Sequence, residues 1–244
     1  MGTPTPRFGD ERFPPTHWSV ICKARDAGAA DGASLARLCQ TYWYPLYAFA
    51  RRSGRNPPDA QDLTQGFFEH VLHGRLLRSA DASKGRFRSY LLGCFRHFIQ
   101  SDHARAMAEK RGGQCQTLSL DHELAEVRFG QDLSDPLDPA LLYDRNWALT
   151  LVTEVTRQLE REFEASGRGE VFRTLSPLLL GDKSGASHAD AARALQWAEA
   201  SVKVMVWRMR RRFRALFKEQ VAQTVDDPAH LDEELRHLLQ ALQQ

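Results

Sequence analysis

Residues 187–218, SHADAARALQWAEASVKVMVWRMRRRFRALFK, combine a short helical pattern, a brief break and a longer basic helix. Placing successive residues about 100° apart around a helix axis puts one set of apolar side chains within a single arc. These residues are Val202, Met205, Val206, Met209, Phe213, Leu216 and Phe217. The opposite arc carries Lys203, Val204, Trp207, Arg208, Arg211, Arg214 and Lys218. The pattern therefore predicts an amphipathic helix with one core-facing side and one cationic side.

The shorter pattern, residues 188–195, predicts a partner for this helix. Its Ala192 and Leu195 can pack against Val202 across a tight connection, which predicts a helix-turn-helix. From residue 200 to residue 218 there are seven Lys or Arg and no carboxylate, so this face can neutralise phosphates without internal competition. In such pairs the second helix enters the major groove, and its first turns contact base edges. Nucleic acid is the leading partner, and a solvated basic surface helix is the alternative.

Charge is distributed unevenly along the 244 residues, although the net charge is only +2. Basic residues concentrate in residues 84–111 and 203–218. Residues 112–139 hold six carboxylates against one Arg, and residues 226–234 hold five carboxylates. Two cationic surfaces are therefore expected to alternate with two acidic segments.

Cysteine spacing and the amino terminus bear on cofactors and location. Cys22, Cys39, Cys94 and Cys115 lie far apart, with no CxxC pair and no His at zinc-finger spacing, so neither disulfides nor a structural metal is expected. The opening MGTPTPRFGDERFPP has prolines and charges where a signal peptide needs an apolar run. No segment approaches the ~18 apolar residues of a membrane span. We expect a cytoplasmic, soluble protein with no cofactor and no membrane partner.

The predicted fold class is all-α, because periodic apolar residues fill the intervals between proline clusters and no run alternates with a period of two. Two helical domains are predicted, residues 13–113 and 140–220, joined by a flexible acidic linker over residues 114–139. The second domain contains the helix-turn-helix and an additional helix over residues 140–166. A C-terminal tail, residues 221–244, is predicted to form an amphipathic helix. Its apolar side carries Leu231, Leu235, Leu238, Leu239 and Leu242.

Two of the three helices predicted in the first domain cover residues 35–52 and 60–77. The first is rich in aromatic residues, TYWYPLYAFARR, and is predicted to be interrupted or to start at Pro45. The second has a wide apolar arc that includes Phe68. Asp62, Gln65 and Glu69 cluster on its opposite side, and this pattern alone indicates solvated surface.

The third helix, predicted over residues 86–104, carries the first basic region. Phe87, Leu91, Cys94, Phe95 and Phe98 share one side of this helix. Arg88, Arg96 and His97 are predicted to place positive charge around that side. Cations interleaved with rings suit single-stranded nucleic acid, since a base can stack on a ring while its phosphate meets an Arg. The alternative is that the aromatic stripe faces the core.

Three sequence blocks follow one another along the chain. They are YWYPLYAFARRSGRNPPDAQDLTQGFFEHVL, KGRFRSYLLGCFRHFIQSDHARAMAEKRGG and the helix-turn-helix SHADAARALQWAEASVKVMVWRMRRRFRALF. This order resembles the bacterial RNA polymerase sigma factors of the extracytoplasmic-function type, over residues 13–113 and 168–225. The resemblance implies a protein that binds core RNA polymerase, directs transcription initiation and catalyses nothing itself. It leaves open an anti-sigma or other regulatory protein as a further partner.

The resemblance also implies roles for individual residues. The block DAQDLTQGFF would dock on a coiled-coil clamp of the core enzyme through Asp62, Gln65 and Phe68. The second block would open the promoter duplex and hold the unpaired minus-ten element. Its contact residues would be Arg96, His97, Asp102, Arg105, Lys110 and Arg111. The helix-turn-helix would read the minus-thirty-five element through Lys203, Val204, Trp207, Arg208 and Arg211.

The turn LQWAEAS departs from the family pattern, because it lacks the usual Gly and a Ser or Thr helix cap. Trp197 is a candidate to pack under this turn. Two other classes of protein stay open. A stand-alone helix-turn-helix regulator needs only residues 187–218 and leaves the first domain unexplained. The sequence gives little support for an enzyme, since no phosphate-cradling Gly loop or nucleophile motif is present.

Overall fold

The computed structural model describes residues 32–72, 86–108, 122–132, 138–180, 187–225 and 227–243. Within these ranges the chain is helical and contains no strand, which confirms the predicted all-α class. The helices are α1 (Gly32–Arg52), α2 (Pro57–Leu72), α3 (Phe87–Ala108), α4 (His122–Asp132), α5 (Pro139–Ala165), α6 (Gly169–Leu175), α7 (His188–Leu195), α8 (Glu199–Ala222) and α9 (Leu231–Gln243).

Helix α1 lies at the centre of the fold. Every side chain of residues 41–50 is buried, which requires neighbours on all sides of the helix. The Tyr42 ring meets Phe87 of α3 edge-on, with centroids 5.5 Å apart, and stacks on Trp147 of α5 at 6.0 Å. The predicted interruption at Pro45 is wrong, because α1 continues through it. Dense aromatic packing on all sides compensates for the backbone hydrogen bond that a proline cannot donate.

Helix α5 packs along α1 and also contacts α8 and α9. It begins where Asp138 accepts a hydrogen bond from the Ala140 N–H at 2.7 Å, with Pro139 in the first turn. Its core side includes Leu151 and Val155. One apolar core runs from α1 through α5 to α8 and α9. In the described residues, the two predicted domains therefore share this core.

Helix α4 lies inside the segment that was predicted to be a flexible acidic linker. Ala125 and Phe129 are buried against the core, and the Arg51 guanidinium lies 4.7 Å above the Phe129 ring. Glu126 accepts a hydrogen bond from the Tyr47 hydroxyl. It also accepts one from Arg51 Nε at 2.8 Å and one from Arg51 Nη2 at 3.1 Å. Burial raises the pKa of Glu126, but these hydrogen bonds outweigh burial and lower it overall. Residues 122–132 thus form an ordered, packed part of the predicted linker.

The C-terminal tail folds back as α9 onto α5 and α8. Leu238 is buried and three other leucines of the predicted stripe are half-buried, but Leu239 is 53% exposed. Its assignment to the apolar side is therefore wrong. The buried side is instead completed by Ala241 and by Glu234, a carboxylate with no exposed surface.

Candidate nucleic-acid interface

Helices α7 and α8 pack against each other across a three-residue connection. Ser187 caps α7 by accepting a hydrogen bond from the Asp190 N–H at 3.1 Å. Ala192 on α7 is buried, and Leu195 is half-buried against the core. They lie on the core side together with Val202 of α8. The predicted pairing of the short helix with the start of the long one is therefore present.

The connection between these helices is formed by Gln196, Trp197 and Ala198. Gln196 has φ 55° and ψ 37°, the left-handed conformation that glycine enters at lower cost. The Trp197 N–H donates to the Ala192 carbonyl at 2.9 Å, and the Trp197 side chain packs on the core. Ala198 occupies the N-cap of α8 without a side-chain hydrogen bond. The sequence departures in this turn thus correspond to a left-handed Gln and an uncapped helix start.

The five residues predicted to face the major groove all lie on the exposed side of α8. Trp207 is 58% exposed and Val204 is 51% exposed, so both apolar side chains face solvent. Lys203, Arg208 and Arg211 are also exposed. The Arg211 guanidinium lies 5.6 Å from the centroid of the Trp207 ring. Two apolar groups are thus presented to solvent inside a cationic surface.

Several cations of α8 are engaged within the protein. Arg212 makes two parallel hydrogen bonds to Glu162 of α5, at 2.6 and 2.9 Å, and these hydrogen bonds lower the pKa of Glu162. Arg210 donates to the Leu178 and Leu179 carbonyls, at 2.7 and 3.2 Å. These two arginines hold α8 in place. They would have to break these hydrogen bonds in order to bind a ligand.

The expectation of a helix without internal charge competition is therefore wrong in part. Lys203 pairs with Glu199 at 2.6 Å, one turn earlier on α8. Among the described residues, no carboxylate lies within ion-pair distance of Arg208, Arg211 or Arg214. Within the described residues, these three exposed arginines are the cations of α8 that make neither an ion pair nor a hydrogen bond to a backbone carbonyl. Arg214 extends the predicted set by one residue.

The residues predicted to contact the minus-ten element are described only in part. Arg96 and His97 are exposed on α3, and the Arg96 guanidinium lies 5.3 Å from the Phe49 ring centroid. Asp102 and Arg105 lie on the same helix, and their side chains fall outside the described part. The two remaining predicted residues, Lys110 and Arg111, lie outside the described residues altogether.

The aromatic stripe of α3 points into the core. Phe87 and Phe95 are fully buried, and Phe98 packs edge-on against Phe67 at 5.7 Å. Arg88, which was predicted to add surface charge, is only 1% exposed. The core interpretation of this stripe therefore holds for the isolated protein, because its two buried rings present no face on which a base could stack.

On α2, the three residues predicted to bind core polymerase are in different environments. Asp62 is exposed. Gln65 is buried, with its amide 3.4 Å from Glu69 Oε1. Phe68 is 1% exposed and packs edge-on against Phe67. The apolar pattern of α2 placed Phe68 in the core, and the surface role implied by the resemblance does not fit that position. Of these three residues, only Asp62 is exposed.

Residues that sequence reasoning did not connect form a buried ion-pair cluster, which we call the Arg88 cluster. Arg88 Nη1 donates to Glu234 Oε1 at 2.7 Å, and Arg88 Nε lies 2.9 Å from Asp144 Oδ1. Arg86 Nε lies 2.8 Å from Glu234 Oε2. The last two contacts are ion pairs without aligned hydrogen bonds. A clue was present, because Glu234 falls at helical spacing within the leucine pattern of the tail.

The described residues contain no cluster of His, Cys, Asp and Glu that could hold a metal ion. In the same part of the chain, no helix combines the length and apolar character needed to cross a membrane. Cys39 and Cys94 are free thiols, and burial raises the pKa of Cys39 to about 11. No protein-family model, curated protein or solved structure matches the chain.

Proposed function

We propose that this protein is a sigma factor of the extracytoplasmic-function type, which binds core RNA polymerase and directs it to promoters. The observation that carries the proposal is the exposed face of α8, where Trp207, Arg208 and Arg211 project from a helix packed on its short predecessor. The order of the three sequence blocks supports the polymerase part of the proposal.

On duplex DNA, the start of α8 reads the minus-thirty-five element in the major groove, which is wide enough to admit a helix. Val204 offers an apolar contact for a thymine methyl, and Arg208 can form a bidentate pair with guanine. Arg214, two turns further along, is suited to a phosphate. A bidentate base contact of this kind contributes about 1–3 kcal/mol to discrimination.

On the minus-ten element, exposed polar side chains of α3 hold the displaced strand. Arg96 and His97 supply this contact from described residues. Because Phe87 and Phe95 are buried, capture of an unpaired base uses groups other than these rings. Opening the duplex requires no catalytic group, since favourable contacts to unpaired bases offset the cost of unstacking.

The proposal is tested by purified components. The protein is expected to co-purify with core RNA polymerase and to direct start-site selection in run-off transcription. A stand-alone helix-turn-helix regulator, which needs only α7 and α8, would bind duplex DNA and do neither. If the protein binds duplex DNA but not core polymerase, it is a stand-alone regulator and not a sigma factor.

Two substitutions separate the proposed contacts. Arg208→Ala is expected to impair promoter binding and leave core association intact, because this side chain lies on the α8 face. Asp62→Ala is expected to do the reverse, since Asp62 is exposed on α2. Parallel loss of both activities in both folded variants would contradict the assignment.

A further inference from the structure

The Arg88 cluster joins three helices that are distant in the sequence. Arg88 lies in the first turn of α3, Asp144 in α5 and Glu234 in α9. The Arg88 side chain is 1% exposed and that of Glu234 is fully buried. A buried charge that loses its partner is strongly unfavourable, because solvent cannot replace the lost interaction. The cluster is therefore stable only while all three helices are assembled.

Helix α9 has two buried apolar side chains, and three of its leucines are half-buried against the core. Leu238 and Ala241 are its buried apolar side chains, and Glu234 is the third buried residue of the helix. At 13 residues, α9 is too short to be a stable helix in isolation. Ionic contacts add to this anchoring, including His237 Nε2 to Asp144 Oδ2 at 2.9 Å, and of the ionic groups on α9 Glu234 alone is fully buried. A short helix held in this way can open as a unit without unfolding the core.

The acidic first turn of α9 contacts both basic segments of the protein. Glu233 Oε1 lies 2.6 Å from Arg86 Nη2, directly before α3. Asp232 Oδ1 lies 3.8 Å from Lys218 Nζ, towards the end of the cationic face of α8. One turn of α9 thus connects the start of one basic helix to the end of the other.

We propose that α9 is an intramolecular clasp, with Glu234 as its anchor, that links the start of α3 to α5 and α8 in the isolated protein and is released on binding core RNA polymerase. Closure keeps Arg86, at the start of α3, paired with Glu234 and Lys218 of α8 close to Asp232, and release frees both cations for a partner. A partner that binds both segments better in the open form shifts the equilibrium towards opening. The release step rests on the proposed function, whereas the clasp itself does not.

Hydrogen–deuterium exchange of the full chain tests the clasp. Glu234→Gln keeps the shape of the side chain and removes its charge from the buried cluster. Its α9 amides are expected to exchange at least about tenfold faster than in the wild type, together with those at the start of α3. Glu233→Gln is the matched control, since Glu233 is 60% exposed and its surface pair contributes little. Unchanged exchange in Glu234→Gln, or equal acceleration in both variants, would overturn the clasp.

A double variant separates charge from packing. Arg88→Met combined with Glu234→Met replaces the buried pair by apolar side chains of similar volume, which buried sites accept well. Recovery of slow α9 exchange in the double variant is expected if loss of the Glu234 charge opened the clasp. Fast exchange that persists in the double variant would show that the ionic anchor is not what holds α9.

The release step is tested with purified core RNA polymerase. Glu234→Gln is expected to associate at least about threefold faster than the wild type, because the open form is already populated. Glu233→Gln should match the wild type. If α9 exchange accelerates and association does not, the release step is overturned. If no variant binds the polymerase, the proposed function fails, and the exchange results alone decide the clasp.

Discussion

The salt dependence of duplex binding measures how many cations of α8 are available to phosphates. Each phosphate contact contributes about −0.9 to the slope of log Kobs against log salt concentration. Replacing Arg208, Arg211 or Arg214 by Gln is therefore expected to reduce the slope by about 0.9 wherever that side chain meets a phosphate. Because Arg208 is assigned to a guanine, the triple variant is expected to lose about 1.8 through Arg211 and Arg214, a roughly 12-fold difference in affinity loss across a fourfold range of salt.

Arg212→Gln is the matched control on the same helix. Its guanidinium is held by Glu162 at 2.6 and 2.9 Å, so it would have to leave a carboxylate in order to reach a phosphate. The slope is expected to stay unchanged in this variant. Fluorescence anisotropy of a labelled duplex between about 50 and 200 mM salt covers the useful range. A slope reduction in Arg212→Gln equal to that in the triple variant, or none in either, would refute the division into engaged and available cations.

Three further measurements address separate features of the fold. Gln196→Gly is expected to raise the free energy of unfolding by about 0.5–1 kcal/mol, because glycine adopts φ 55° without a Cβ clash; Gln223→Gly, at φ −71°, should lower it in the same urea titration. The pKa of Glu162 is lowered in the folded protein. Its ion pair with Arg212 therefore stabilises the fold at pH values above the ordinary carboxyl range, and this stabilisation is lost as pH falls through the lowered pKa. Arg212→Gln should therefore destabilise the protein at pH 7 by under about 1 kcal/mol, and its effect should shrink as pH falls below the ordinary carboxyl range. Asp62→Ala should lower affinity for core polymerase in a pull-down titration and leave duplex affinity unaltered.

Local periodicity was sufficient to predict the sides of α8. Val202, Val206 and Met209 are buried and Trp207 is exposed, as their angular positions required. These assignments depend only on residues within a few turns of one another. The missing glycine also indicated strain somewhere in the turn, and the structure places that strain at Gln196. Sequence was therefore informative wherever the determining contacts are close along the chain.

Residues at the edges of apolar arcs could not be assigned in the same way. Arg88 lies only about 20° from Phe95 around α3, and its carboxylate partners come from helices predicted to belong to other parts of the protein. On α9, the buried side runs from Ala241 through Glu234 to Leu238, so Leu239 lies outside it. The identity of the neighbouring helix decides each of these cases. Helical spacing within a single segment does not contain that information.

The central position of α1 has a consequence for biosynthesis. Tyr42 and Trp147 stack on each other across 105 residues of chain. At about 5–20 residues per second, a ribosome reaches Trp147 roughly 5–20 s after it has added Tyr42. During that interval residues 41–50 lack the α5 side chains that later pack on them, and they are a target for chaperones or for self-association. Aggregation of nascent chains stalled before α5 would therefore exceed that of chains stalled after it.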